Sequence, residues 1–111
     1  MAIDAKLISA ESVLSALGDP TRRTMVAGLS QGPATVSSLA GLLGITRTAV
    51  GQHIAVLEAC GLAHSEKLGR VRTCRLNFGG LSVLQDWIDF QRATWERSLD
   101  QLGEVLLEDD E

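Results

Sequence analysis

The chain has no tyrosine, only two phenylalanines and two tryptophans, and just two each of cysteine, histidine and proline in 111 residues. Two cysteines without a secretory signal make no disulfide framework and read as reduced thiols. Cys60, Cys74, His53 and His64 are the only soft metal ligands, at spacings that match no common zinc site, so no metal or other cofactor is expected. No stretch approaches the roughly 20 continuous apolar residues of a membrane span. A secretory signal needs a basic flank and an apolar run where Asp4 and Glu11 stand, so a cytoplasmic protein is expected. A Gly-rich phosphate loop, a Ser/His/Asp order and paired carboxylates in an apolar context are all missing, which leaves an enzyme without candidate residues. There is no internal repeat and no low-complexity linker. The one biased stretch is the acidic tail 108–111.

What is present suits one domain. At 111 residues and 45% apolar composition, the chain can build a core without disulfides or metal. Its net charge is −4, which taken whole disfavours nucleic acid. The charges are segregated, however. Residues 1–19 carry −2, residues 20–80 carry +5 and residues 81–111 carry −7. The basic middle holds Arg22, Arg23, Arg47, Lys67, Arg70, Arg72 and Arg75 against Glu58 and Glu66 alone. Acidic ends around such a block weaken non-specific binding and direct where DNA can dock.

The apolar spacing predicts a helix over 5–17, with Leu7, Ile8, Val13, Leu14 and Leu17 as its stripe, ended by Gly18. Asp19-Pro20 restarts a helix to about Leu29, burying Met25, Val26 and Leu29 and exposing Arg22 and Arg23. After Gln31-Gly32-Pro33, Thr35 or Ser37 caps a short helix with Val36, Leu39, Ala40, Leu42 and Leu43 as its apolar set. Gly44 stops it. Thr46 caps a fourth helix over 47–60, with Val50, Ile54 and Leu57 inward and Gly61 as its stop. The segments 62–67 and 71–76 flank Leu68-Gly69-Arg70 as a hairpin, which sets Cys74 opposite Ser65. A last helix over 80–107 carries Leu81, Leu84, Ile88, Trp95, Leu99, Leu102 and Leu106, and is longer than a small core requires. Two short helices at a Gly-containing turn, followed by a two-stranded wing, read as a mainly α winged helix-turn-helix of order α-α-α-α-β-β-α. The expected division is a single domain over 1–111. Within it, 1–17 and 80–107 are dimerisation helices, 35–60 the helix-turn-helix and 62–77 the wing.

At these residues the chain resembles the bacterial winged-helix regulators of the ArsR/SmtB family, over about residues 13–78. The resemblance is carried by Leu17-Gly18-Asp19-Pro20-Thr21-Arg22-Arg23, Thr46-Arg47-Thr48-Ala49-Val50-Gly51-Gln52-His53-Ile54, Leu57-Glu58-Ala59-Cys60-Gly61-Leu62, and Gly69-Arg70-Val71-Arg72-Thr73-Cys74-Arg75-Leu76-Asn77. It implies a homodimeric transcription factor, usually a repressor, whose DNA affinity falls when an inducer binds. Two departures stand out: Gly51 where the family often has Ser, and Cys74 where an aromatic is common. The family's metal-sensing sites do not carry over. The third helix has no Cys, and 80–111 has no His.

Thr46, Arg47, Thr48, Gly51, Gln52 and His53 are the recognition-helix candidates, since Arg pairs with guanine, Gln with adenine, and Thr with a phosphate or a thymine methyl. A solvated helix face is the competing reading, and for His53 packing competes equally. Lys67, Arg70 and Arg72 are the wing candidates, for a minor groove or for phosphates. A charged edge that blocks strand-to-strand aggregation is their alternative. Arg22 and Arg23 read as structural partners of Asp19 or a neighbouring acid, and Cys60 and Cys74 as buried core residues. Leu7, Leu14, Leu84, Trp87, Ile88, Trp95, Leu99, Leu102 and Leu106 are the dimer candidates, because a stripe along an over-long helix calls for a partner helix. The expected partners are double-stranded DNA, a second copy, and a small-molecule or redox inducer of unknown identity. A protein-interaction module without DNA function is the alternative.

Overall fold

Four side-chain oxygens start the first four helices. The computed structural model describes residues 8–109. Ser9 accepts from Ser12 N at 3.1 Å and opens α1 (Ala10–Leu17). Asp19 accepts from Thr21 N at 2.8 Å and Arg22 N at 3.2 Å and opens α2 (Pro20–Leu29), with Pro20 in the first turn. Thr35 and Thr46, each 3.0 Å from its acceptor-seeking amide at Ser38 and Ala49, open α3 (Val36–Leu43) and α4 (Arg47–Ala59). Each oxygen satisfies an N–H that the helix itself leaves without a partner.

α1 is shorter than its apolar spacing implies. Ser9 supplies the cap, so Ile8 precedes the helix and packs on the core instead of extending the stripe. Leu7 lies outside the described residues. Of the two cap candidates for α3, Thr35 makes the bond.

The sheet has three strands where the sequence suggests two. β1 (Ala34–Thr35) and β2 (Ala63–Leu68) flank β3 (Val71–Leu76) in the order β1-β3-β2. β1 pairs antiparallel with β3 through Ala34↔Cys74 and Thr35↔Thr73. A two-residue strand is too short to show alternation, yet it satisfies backbone groups on the far edge of β3. In the hairpin, Ser65 faces Cys74 as expected. Leu68 pairs with Val71, so the turn is Gly69-Arg70 alone, with Gly69 at φ +63. Only a residue free of Cβ crowding takes that left-handed conformation at no cost.

The core gathers Val13 and Ala16 from α1, Met25 and Leu29 from α2, and Leu39 from α3. Val50, Ile54 and Leu57 of α4 join them, with Cys60, Leu62, Ala63 and Cys74 closing it from the sheet side. Leu42 is 69% exposed, on the outer side of α3, and does not join the core. Arg22 is half-buried rather than exposed, because its Nε donates to Ala16 O at 2.7 Å and draws the side chain over the end of α1.

α5 (Gly79–Asp109) has 31 residues, about 46 Å at the helical rise. Asn77 Oδ1 accepts from Gly79 N at 2.9 Å at its start. Leu81 and Leu84 reach the core, after which the helix runs on with an exposed apolar stripe.

Candidate nucleic-acid interface

α4 is held inward by Val50, Ile54 and Leu57, all fully buried. Residues 47, 51 and 58 therefore look outward, at the i, i+4 and i+11 positions of one face. The hairpin of β2 and β3 stands beside that face. Between them lies a groove of about 660 Å³, lined by Arg47 and Gly51 from α4, by Lys67, Arg70 and Arg72 from the wing, and by Thr35 and Ser37 from the β1–α3 junction. The fold thus brings five of the nine sequence candidates to one concave surface.

The charge of that surface is largely uncompensated. Among the described residues Arg47, Lys67 and Arg70 take part in no ion pair. Arg75 instead pairs with Glu66 at 3.8 Å, away from the groove lining. A basic groove beside a helix whose exposed side chains include Arg and Gln matches the charge and hydrogen-bonding edges of duplex DNA.

The other four candidates lie elsewhere. Thr46 uses its hydroxyl as the cap of α4. Thr48 and Gln52 are exposed on α4 outside the groove lining. His53 turns to α2, with Nδ1 3.4 Å from Arg22 Nη1. Arg22 is also 3.8 Å from Asp19, and Arg23 donates to Leu17 O and Gly18 O, so both arginines act structurally on the α1–α2 junction. Asp19 is held below its ordinary pKa of 3.8, chiefly by the Arg22 backbone N–H, with Thr21 N–H and the Arg22 and His53 charges adding to it and burial opposing.

Arg72 is tied more closely than the sequence suggests. Its Nη2 lies 3.2 Å from Glu58 Oε1 and 3.0 Å from Ser65 Oγ, and its Nε donates to Ser65 Oγ at 3.1 Å. Ser65 in turn donates to Glu58 Oε1 at 2.7 Å. Glu58 and Ser65 escaped the sequence reading because they carry no basic charge. The sequence signal for them is Gly51, Ala55 and Glu58 at helical spacing, a face with room for a long side chain and an acid at its end.

Cys60 and Cys74 are both buried, and burial pushes both thiols up. Among the described residues no group of three or more His, Cys, Asp or Glu side chains is placed to hold a metal. No helix of the described residues is long and apolar enough to cross a membrane.

Along α5 the remaining candidates are exposed on the isolated chain: Trp87, Ile88, Trp95, Leu99, Leu102 and Leu106, together with Leu14 of α1. Leu84 is the exception, half-buried against the core. Trp87, Ile88, Trp95 and Leu99 form the apolar part of a shallow depression of about 440 Å³.

A helix-turn-helix with a basic groove under its wing defines a DNA-binding regulator. A family model described as "Bacterial regulatory protein, arsR family" matches residues 19–65. HTH-type transcriptional regulator Rv2034 of Mycobacterium tuberculosis is 34% identical over 98 residues, which cover 88% of this chain and 89% of the relative. An ArsR-like transcriptional regulator from Rhodococcus sp. RHA1 superposes with a TM-score of 0.78 at 33% identity, covering 86% of this chain and 87% of that one. A homodimeric winged helix-turn-helix DNA-binding domain from Mycobacterium bovis shares the fold, with a TM-score of 0.58 at 23% identity over 78% of this chain and 79% of its own. The chain belongs to the arsR family and is a transcriptional regulator, not an enzyme.

Proposed function

We propose that the protein is a homodimeric repressor that binds a palindromic operator and leaves it when an inducer binds. The observation that carries this reading is the pairing of two surfaces on one chain: the basic groove under the wing and the apolar stripe on α5. A lone helix that projects from its domain is marginal in water, and a second copy of the same stripe is its simplest cover. The M. bovis domain is described as homodimeric, which supports the same arrangement here.

Two-fold symmetry then sets two α4 helices in successive major grooves, about 34 Å or a multiple of it apart, with the wings on their flanks. Arg47, Thr48 and Gln52 face base edges, while Lys67 and Arg70 hold phosphates. His53, directed at Arg22, positions α4 against α2 and makes no base contact. A dimer that covers two turns of duplex excludes other proteins from them, which is the physical basis of repression. Both thiols are buried and pushed up in pKa, which favours a small-molecule inducer over an oxidant.

The test is fluorescence anisotropy of the full chain on duplex DNA from the region upstream of its own gene. Saturable binding, displaced by that duplex far better than by random duplex, is expected. No binding even at low salt overturns the DNA reading, and one chain per half-site without dimerisation overturns the symmetric one.

A further inference from the structure

Arg72 is a wing-strand residue whose guanidinium ends on the recognition helix. Three of its N–H groups are used inside the protein, by Ser65 and Glu58. The remaining nitrogen, Nη1, lies 3.8 Å from where a Cβ would stand on Gly51. Both residues line the basic groove. Gly51 has no side chain to present to DNA, and the position it leaves open is occupied by a guanidinium that comes from β3.

We infer that Arg72 is a specificity-determining residue that takes the place of a side chain at position 51 on the DNA-reading face, with Glu58 and Ser65 as its positioning residues. The inference rests on the DNA-binding reading. The chemistry follows from the hydrogen-bond inventory. A guanidinium has five N–H donors, and three are already committed, so Arg72 presents a single nitrogen with two hydrogens. It therefore donates to one acceptor or two adjacent acceptors on a base edge, such as guanine O6 or N7 or thymine O4. Because Glu58 neutralises much of its charge at 3.2 Å, the contribution to non-specific phosphate attraction is small. Preorganisation also means that little rotamer freedom is lost when DNA arrives.

The test is selection from a duplex pool with a randomised central segment, using the full-length protein and its variants. The wild type is expected to enrich a symmetric motif. Arg72→Lys keeps the charge and loses the fixed fork. It should still enrich DNA with an unchanged salt slope, while its preference at one base pair per half-site falls about tenfold. Glu58→Gln should relax that same base pair to a lesser degree, because the fork loses its anchor. Arg72→Met, checked for native helix content, should abolish the preference there and leave the other positions intact.

Two results overturn the inference: Arg72→Lys and Arg72→Met enriching the wild-type motif unchanged, or Arg72→Met weakening all sequences equally. Failure of the wild type to enrich any sequence counts against the DNA reading itself and is distinct from both.

Discussion

Gly80 N donates to Gly61 O at 2.8 Å, joining the first turn of α5 to the turn that follows α4. Gly61 sits at φ +74, and Gly80 approaches so closely that a Cβ would run into the carbonyl oxygen of Cys60. This backbone contact fixes where α5 leaves the domain. It therefore also fixes the angle between the exposed apolar stripe of α5 and α4.

Gly80→Ala should accordingly destabilise the protein by about 1–3 kcal/mol, since the obstacle is backbone and cannot rotate away. Gly41→Ala is the matched control. Gly41 lies within α3, and an added Cβ meets nothing within 4 Å. That change should stabilise by about 0.5–1 kcal/mol by lowering the entropy of the unfolded chain. Urea unfolding at constant protein concentration reads both. Equal midpoints for the two variants would show that the Gly61–Gly80 approach is not tight.

Most of the architecture was legible because caps and stops are local. Asp19, Thr46, Gly44, Gly61 and Gly69 each act through the backbone within a few residues, and each performs the role its spacing implies. The register Ser65↔Cys74 was legible for the same reason. β1 was not, because a two-residue strand has no period and is defined only by its distant partner β3. The outer position of Leu42 and the recruitment of Arg22 to Ala16 O are tertiary outcomes that helical spacing alone does not encode. In the groove, net charge pointed to Arg47, Lys67 and Arg70. The clamp on Arg72 was hidden because its partners, Glu58 and Ser65, come from other elements.

Asp19 gives a pH dependence with a defined sign. Its folded-state pKa lies below 3.8, so the unfolded chain takes up a proton first as the solution is acidified. The stabilisation is fully present above the ordinary carboxylate range and is lost as pH falls through the lowered value. Asp19→Asn keeps an acceptor for Thr21 N–H and removes the charge. Wild type should be the more stable of the two above about pH 5, and the gap should shrink steadily toward pH 2. A gap that does not change over this range would show that the charge is not what Asp19 contributes.

The cysteines should be slow to react. Burial in the core raises both thiol pKa values above the ordinary 9.0, so little thiolate forms near neutral pH and reagent has no path to it. Titration with a chromogenic disulfide at pH 7.5 should label neither thiol quickly in the native protein and both at once in denaturant. Rapid labelling of one thiol in the native state would reopen a redox role for it.

Arg47 and Arg70 should fail in different ways. Both line the groove without an ion-pair partner among the described residues, but one projects from the helix and the other from the hairpin turn. Arg47→Ala should reduce discrimination between operator and random duplex by roughly tenfold, as expected for loss of a base contact. Arg70→Ala should weaken both duplexes alike and lower the slope of log affinity against log salt by about 0.9 per subunit. Anisotropy titrations at several salt concentrations separate the two, and identical behaviour of the variants would contradict the division of labour.

The two tryptophans report directly on the proposed dimer. Trp87 and Trp95 are the only tryptophans in the chain, and both lie on α5, 42% and 70% exposed when the chain stands alone. A second α5 packed on that stripe takes both rings out of water and blue-shifts their emission. Dilution should then shift the emission to the red along a two-state dissociation curve, with sedimentation mass falling in step. Leu99, 66% exposed in the same stripe, supplies the variant. Leu99→Asp sets a carboxylate against its own symmetry mate or close to it, and should hold the chain as a red-shifted monomer at concentrations where the wild type is dimeric. Because position 99 lies beyond the part of α5 that meets the core, α1–α4 should stay folded, and any loss of far-ultraviolet signal should be confined to the projecting part of α5. A wild type whose emission and mass ignore dilution, at the mass of one chain, would exclude the homodimer while leaving the DNA-binding groove untouched.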